Sequence, residues 1–175
     1  MSIFPTKILL ATDGSEEAEL ALRTAVDLAN TTDSELHVVT VGRDYHPAYF
    51  EFPEPGELRE RALRVLEREA EEVLDRQVEK IEESGGTVAG THLRMGGRKD
   101  EQIISLSEEV GAGLIVMGSR GLGGVRRALM GSVSDSVVRH AHCPVLVVRP
   151  DEVSDDRRRF LRRASRSRST GSEQG

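Results

Sequence analysis

Five short apolar runs, separated by four stretches of helical periodicity, constrain this fold more than any other feature of the chain. The runs cover residues 7–12, 36–41, 87–93, 114–117 and 143–148. Ile8-Leu9-Leu10-Ala11 and Leu114-Ile115-Val116-Met117 have no polar alternation. Such strands are buried on both faces, as in a parallel sheet. Apolar residues between them recur at helical spacing: Ala18, Ala21, Leu22, Ala25, Leu28 and Ala29 in the first stretch, ending near Asn30, and Leu58 to Ile81 in the second. Ile103, Leu106 and Val110 mark the third, and the fourth ends near His140. The reading is α/β, a five-stranded parallel sheet with right-handed crossovers and helices on both faces. With strand order 3-2-1-4-5, the switch lies between the first and fourth strands. Ligands bind there, outside the carboxyl ends of the strands.

Local signals place the breaks. Asp13 with Glu16, or Ser15 alone, can cap the first helix. Asp100 can cap the third. At about 1.5 Å per residue, the second helix exceeds the depth of a sheet, so it is expected to start late or bend. Its Arg and Glu residues form a solvated, ion-paired face. Pro47, Pro53 and Pro55 keep residues 42–56 irregular, and this loop holds Tyr45, Tyr49, Phe50 and Phe52. Those aromatics either pin the loop to the body or close over a ligand.

The fourth strand runs into Gly118-Ser119-Arg120-Gly121, and Gly131-Ser132 follows after nine residues. This reads as strand, glycine-rich loop and helix start. Gly118 and Gly121 are expected to permit positive φ and close ligand approach. The helix opened by Gly131 and Ser132 presents unpaired N–H groups and a partial positive charge, which suits an anion, above all phosphate. A tight loop with a Ser cap and no ligand is the plainer alternative. Arg120, Arg126 and Arg127 are candidates for added charge. No Lys-[Ser/Thr] pair follows the glycines, so this is not a P-loop.

Composition narrows the classes. Apolar residues make up 37% of the 175, and no run approaches the length of a membrane span. The first ten residues lack the features of a secretory signal. The single Cys143 excludes an intramolecular disulfide and fits a reducing cytoplasm. The formal charge is −6. Residues 151–175 hold seven Arg against five acids, which leaves the preceding 150 residues at −8. An acidic body argues against general nucleic-acid binding. The Arg/Ser-rich tail is read as a disordered extension with, at most, weak contact to nucleic acid or anionic lipid. The domain is placed at 1–150.

Ile8-Leu9-Leu10-Ala11-Thr12-Asp13-Gly14-Ser15, the G-x-x-G at 118–121 and Gly131-Ser132-Val133 together resemble the universal stress protein family. Cys143-Pro144-Val145-Leu146-Val147-Val148 is similar too, and the resemblance covers roughly residues 5–149. Gly113 departs from it, since members commonly carry Asp there. The resemblance implies a Rossmann-like domain of the adenine nucleotide alpha hydrolase type, binding ATP, and a cytoplasmic homodimer joined along residues 144–149. Carried over, Gly118, Gly121, Gly131, Ser132 and Val133 contact phosphates and ribose. Thr12 and Asp13 line the adenosine side, and Val41 and Met117 belong to the same site. Asp13 is assigned to a ribose hydroxyl or, indirectly, to Mg²⁺ or Mn²⁺ bridging to phosphate.

No residue is assigned a catalytic role, because no nucleophile-elbow grouping is present. His140 and His142 suit a helix C-terminus, and His37 and His92 sit in strands. The reading is a regulatory nucleotide-binding module with at most slow hydrolysis. Two alternatives stay open: a true ATPase or adenylyl-transferring enzyme, and a dimerising module with a vestigial site.

Overall fold

The computed structural model describes residues 3–43, 56–121 and 130–149. The expectations for the 44–55 aromatics, for Arg126 and Arg127, and for residues 150–175 lie outside them. Strands β1 (Lys7–Ala11), β2 (Glu35–Val41), β3 (Val88–Arg94), β4 (Leu114–Gly118) and β5 (Val145–Val148) alternate with α1 (Glu16–Thr32), α2 (Gly56–Glu83), α3 (Lys99–Val110) and α4 (Ser132–His140). All strand pairs are parallel. The order β3-β2-β1-β4-β5 puts the topological switch between β1 and β4, as expected.

Strand alternation sorts the core into two layers. Ile8, Leu10, Leu36, Val38, Leu114 and Val116 pack with α1 and α2 residues such as Leu22, Val26, Leu74 and Ile81. Leu9, Ala11, Val39, Val41, Ile115 and Met117 point the other way, onto Ile103, Leu106 and Val137 of α3 and α4. Burying each large aliphatic side chain contributes about 1.5–3 kcal/mol. Both faces of β1 and β4 are therefore apolar because each face meets a helix layer.

The helix ends follow local chemistry. Ser15 caps α1, its side chain accepting from Ala18 N–H at 3.2 Å. This helix passes Asn30 and stops when Asp33 turns left-handed, at φ 54°, a conformation Asp tolerates better than most residues. The assignment of Asp100 as the α3 cap is corrected. Arg98 takes that position without a side-chain cap bond, and Asp100 lies inside the first turn. Its buried carboxylate instead accepts from Arg98 and Ser136. It thereby ties α3 to α4.

Of the late start or bend expected for α2, the late start is corrected as well. That helix runs unbroken through 28 residues. Only Ala70, Leu74, Gln77 and Ile81 are buried, while Leu58, Leu63 and Val65 are exposed. The excess length is accommodated by projection of its first half beyond the sheet.

Candidate functional site

The site forms where β1 and β4 end side by side. After β1, Thr12 is buried, and its hydroxyl donates to Gln77 Oε1 at 2.9 Å. Thr12 Oγ1 in turn accepts from Gly14 N–H at 3.3 Å. Asp13 Oδ1 accepts from Ser15 N–H at 3.1 Å. Its other oxygen faces Gly121, where an added Cβ would overlap it. Asp13 therefore orders the start of α1 and also borders the glycine loop.

After β4, the loop is fastened through Ser119, which is 2% exposed. Its N–H donates to Val148 O at 2.8 Å. Its carbonyl accepts from Gly131 N–H at 2.7 Å and from the Ser134 hydroxyl at 2.8 Å. Its own hydroxyl donates to Glu17 Oε2 at 3.0 Å. Arg120 Nη1 lies 3.7 Å from Glu17 Oε1. These bonds hold β4, the loop and the N-terminus of α4 in one register.

The glycines serve close packing rather than left-handed backbone. Neither Gly118 nor Gly121 has positive φ, which corrects that expectation. A Cβ on Gly118 would meet the backbone of Glu17 and Arg120 at 3.1 Å, with no flexible atom to yield. Gly131 is the N-cap of α4 at φ −75°, so Ser132 is the first helical residue and not the cap. Gly131 N–H is engaged by Ser119. The next N–H groups, starting with Ser132 and Val133, have no acceptor within the helix.

These elements enclose one cavity of about 600 Å³, within the usual range for a small-molecule site. All ten residues singled out from the sequence line it: Thr12, Asp13, Val41, Met117, Gly118, Arg120, Gly121, Gly131, Ser132 and Val133. Ala11, Val39 and Ile103 extend an apolar wall beside Val41 and Met117. Arg43 and Lys99, which sequence reasoning missed, add two cations. Both lie just beyond strand ends, Arg43 after β2 and Lys99 at the first residue of α3. The carboxyl ends of β2 and β3 thus join those of β1 and β4 in bordering the crevice, where ligands of such sheets bind. Among the described residues, the charged cavity lining is Arg43, Lys99 and Arg120 against Asp13. A protein of net charge −6 has thus gathered cations at this crevice.

A doubly wound α/β protein with a glycine-loop crevice at its switch point is the class these features define. The chain belongs to the universal stress protein family, whose model matches residues 5–149. A Staphylococcus haemolyticus chain named as a universal stress protein is 38% identical over 151 residues, covering 85% of this chain and 87% of that one. Among solved structures, the hypothetical protein MJ0577 aligns with TM-score 0.71 at 28% identity, covering 85% of this chain and 99% of that one. A universal stress protein from Archaeoglobus fulgidus, solved in complex with dAMP, aligns with TM-score 0.54 at 25% identity. That match covers 84% of this chain and 99% of the other. No described helix is long and apolar enough to cross a membrane.

Proposed function

We propose that this universal stress protein binds ATP in the β1/β4 crevice and acts as a regulatory module rather than as a dedicated catalyst. The observation that carries the reading is the crevice itself: an apolar wall at one side, and a stitched glycine loop with a helix N-terminus at the other. The adenine ring lies against Val39, Val41 and Met117. Phosphates lie over the Gly118–Gly121 loop, whose glycines let it pack tightly against Glu17 and Asp13. Ser132 and Val133 donate N–H groups at the positive end of α4. Arg120, Lys99 and Arg43 supply charge.

Asp13 is the one carboxylate among the described lining residues. It repels phosphate directly, so its role is to accept from a ribose hydroxyl or to hold water around a bridging divalent ion. Most ligands of such an ion come from phosphate oxygens and water, as hard cations of this size prefer. The dAMP complex of the Archaeoglobus relative supports an adenine nucleotide as the ligand class.

Calorimetric titration of nucleotide-stripped protein with MgATP tests the reading. One saturable site per chain is expected. Gly131→Val, whose added bulk would press on Ser119 O and Arg120 where the loop meets α4, should weaken binding at least tenfold with unchanged circular dichroism. No saturable binding by the stripped parent would overturn the reading.

A further inference from the structure

His37 and His92 meet on the α3 side of the sheet, away from the cavity lining. His37 Nδ1 and His92 Nε2 are 3.2 Å apart. The ring centroids are 5.5 Å apart and the ring planes differ by 22°. The two nitrogens therefore face each other edge to edge. This approach depends on Gly90, the register partner of His37 on β3. A Cβ on Gly90 would stand 2.6 Å from His37 Nδ1 and 3.1 Å from His92 Nε2. The glycine lets both rings settle onto the strand at one point.

We infer that His37 Nδ1 and His92 Nε2 form a two-imidazole site for a borderline divalent transition metal of the zinc, nickel or copper type. Two ligand nitrogens at 2.0–2.1 Å from a tetrahedral zinc lie about 3.3 Å apart, close to the separation already present. Imidazole nitrogen suits these metals, whereas magnesium and calcium prefer oxygen. The metal replaces the proton that the two rings otherwise share, and that proton moves to His92 Nδ1. Tilts of both rings, His37 as well as the half-buried His92, turn the two lone pairs off their common line and towards the ion. Water fills the remaining positions from the open edge of β3.

The outer partner of His37 is in place. Its Nε2 is buried without a hydrogen bond, and Glu35 Oε2 lies 3.5 Å away. A metal-ligating histidine gives its other N–H to a carboxylate or carbonyl, which fixes the tautomer. With Nε2 protonated towards Glu35, Nδ1 keeps its lone pair for the ion. The ion would clamp edge strand β3 to β2. No described group of three or more His, Cys, Asp or Glu forms a metal cluster, so this is a site of two protein ligands completed by solvent.

The experiment uses the full chain with His46, His140 and His142 changed to Ala, leaving His37 and His92 of its five histidines. Zinc, nickel and copper are titrated separately by calorimetry, and imidazole ¹⁵N shifts are followed by NMR with zinc. The expected result is one saturable site per chain, tightest for copper, with both remaining imidazoles shifting together. His92→Gln, at the sheet edge, should weaken binding at least tenfold with unchanged circular dichroism. Gly90→Ala, which keeps both ligands, should weaken it as well. Zinc should raise the melting temperature of the parent, and not that of the His92→Gln protein. Loss of all binding in the triple-Ala background, or binding indifferent to His92→Gln, would overturn the inference.

Discussion

Asp13 and Gly121 show how tightly single residues are matched at the crevice. The Asp13 carboxylate lies where a Gly121 side chain would be. Gly121→Ala is therefore expected to displace Asp13 and weaken MgATP binding about tenfold, measured by calorimetry, while the core stays intact. Gly113 makes a similar match outside the site, since a Cβ there would overlap Thr6 Oγ1. Thr6 occupies the space that a side chain at this position would need. Gly113→Ala should lower the melting temperature, and adding Thr6→Ala should recover part of the loss. Contacting pairs of this kind couple by about 0.5–3 kcal/mol. Asp100 adds a pH dependence. Its hydrogen bond to Arg98 and a second from Ser136 hold its pKa at about 2, against an ordinary 3.8. A depressed carboxylate stabilises the fold above its unfolded pKa and loses that contribution as pH falls through the folded value. Arg98 is exposed, so solvent screening weakens its share of that stabilisation. Asp100→Asn should thus destabilise the protein at pH 7, with the difference from the parent shrinking between pH 4 and pH 2 in denaturant titrations.

At the scale of elements, α2 separates what hydrophobic spacing reveals from what it leaves open. Leu58, Val65 and Leu74 all belong to one periodic pattern, but Leu74 is 7% exposed and Val65 is 51% exposed. Spacing marks the face of a helix; how far the sheet beneath it extends is a tertiary fact. Leu74→Ala should cost about 2–5 kcal/mol in urea unfolding, whereas Leu63→Ala should change stability by no more than about 0.5 kcal/mol. The strands were legible because continuous apolar runs mark segments buried on both faces, whereas their order was assumed and is supplied by the structure. That Asp13 and the glycine loop share one crevice follows from the sequence once that order is assumed; Val41, at the end of β2, entered through the family resemblance alone. Arg43 and Lys99 were not legible, since a lone cation after a strand looks like any surface residue until neighbouring elements enclose it. Nor was the work of Ser119, whose four hydrogen bonds join segments far apart in sequence. The left-handed glycines failed for a related reason: a missing Cβ serves positive φ and close approach alike, and sequence does not distinguish them.

For the whole molecule, the two sheet edges differ in ways that bear on assembly. β3 presents Gly90, Thr91, His92 and Arg94, a polar strand suited to solvent or to an ion. β5 is Val-Leu-Val-Val, with Leu146 36% exposed at the far edge of the sheet. An apolar edge of this kind invites pairing with another strand. A second copy is the simplest partner, because a two-fold axis lets the same edge meet itself. The expected assembly is a homodimer through β5, twice the 19.2 kDa of one chain. Val148 O is already bonded to Ser119 N–H at 2.8 Å, so pairing along β5 also reaches the anchor of the glycine loop. Leu146→Lys should convert the dimer to monomer in sedimentation at micromolar concentration while leaving the circular dichroism spectrum unchanged. A parent that sediments as a monomer there would instead assign the apolar β5 edge to another partner.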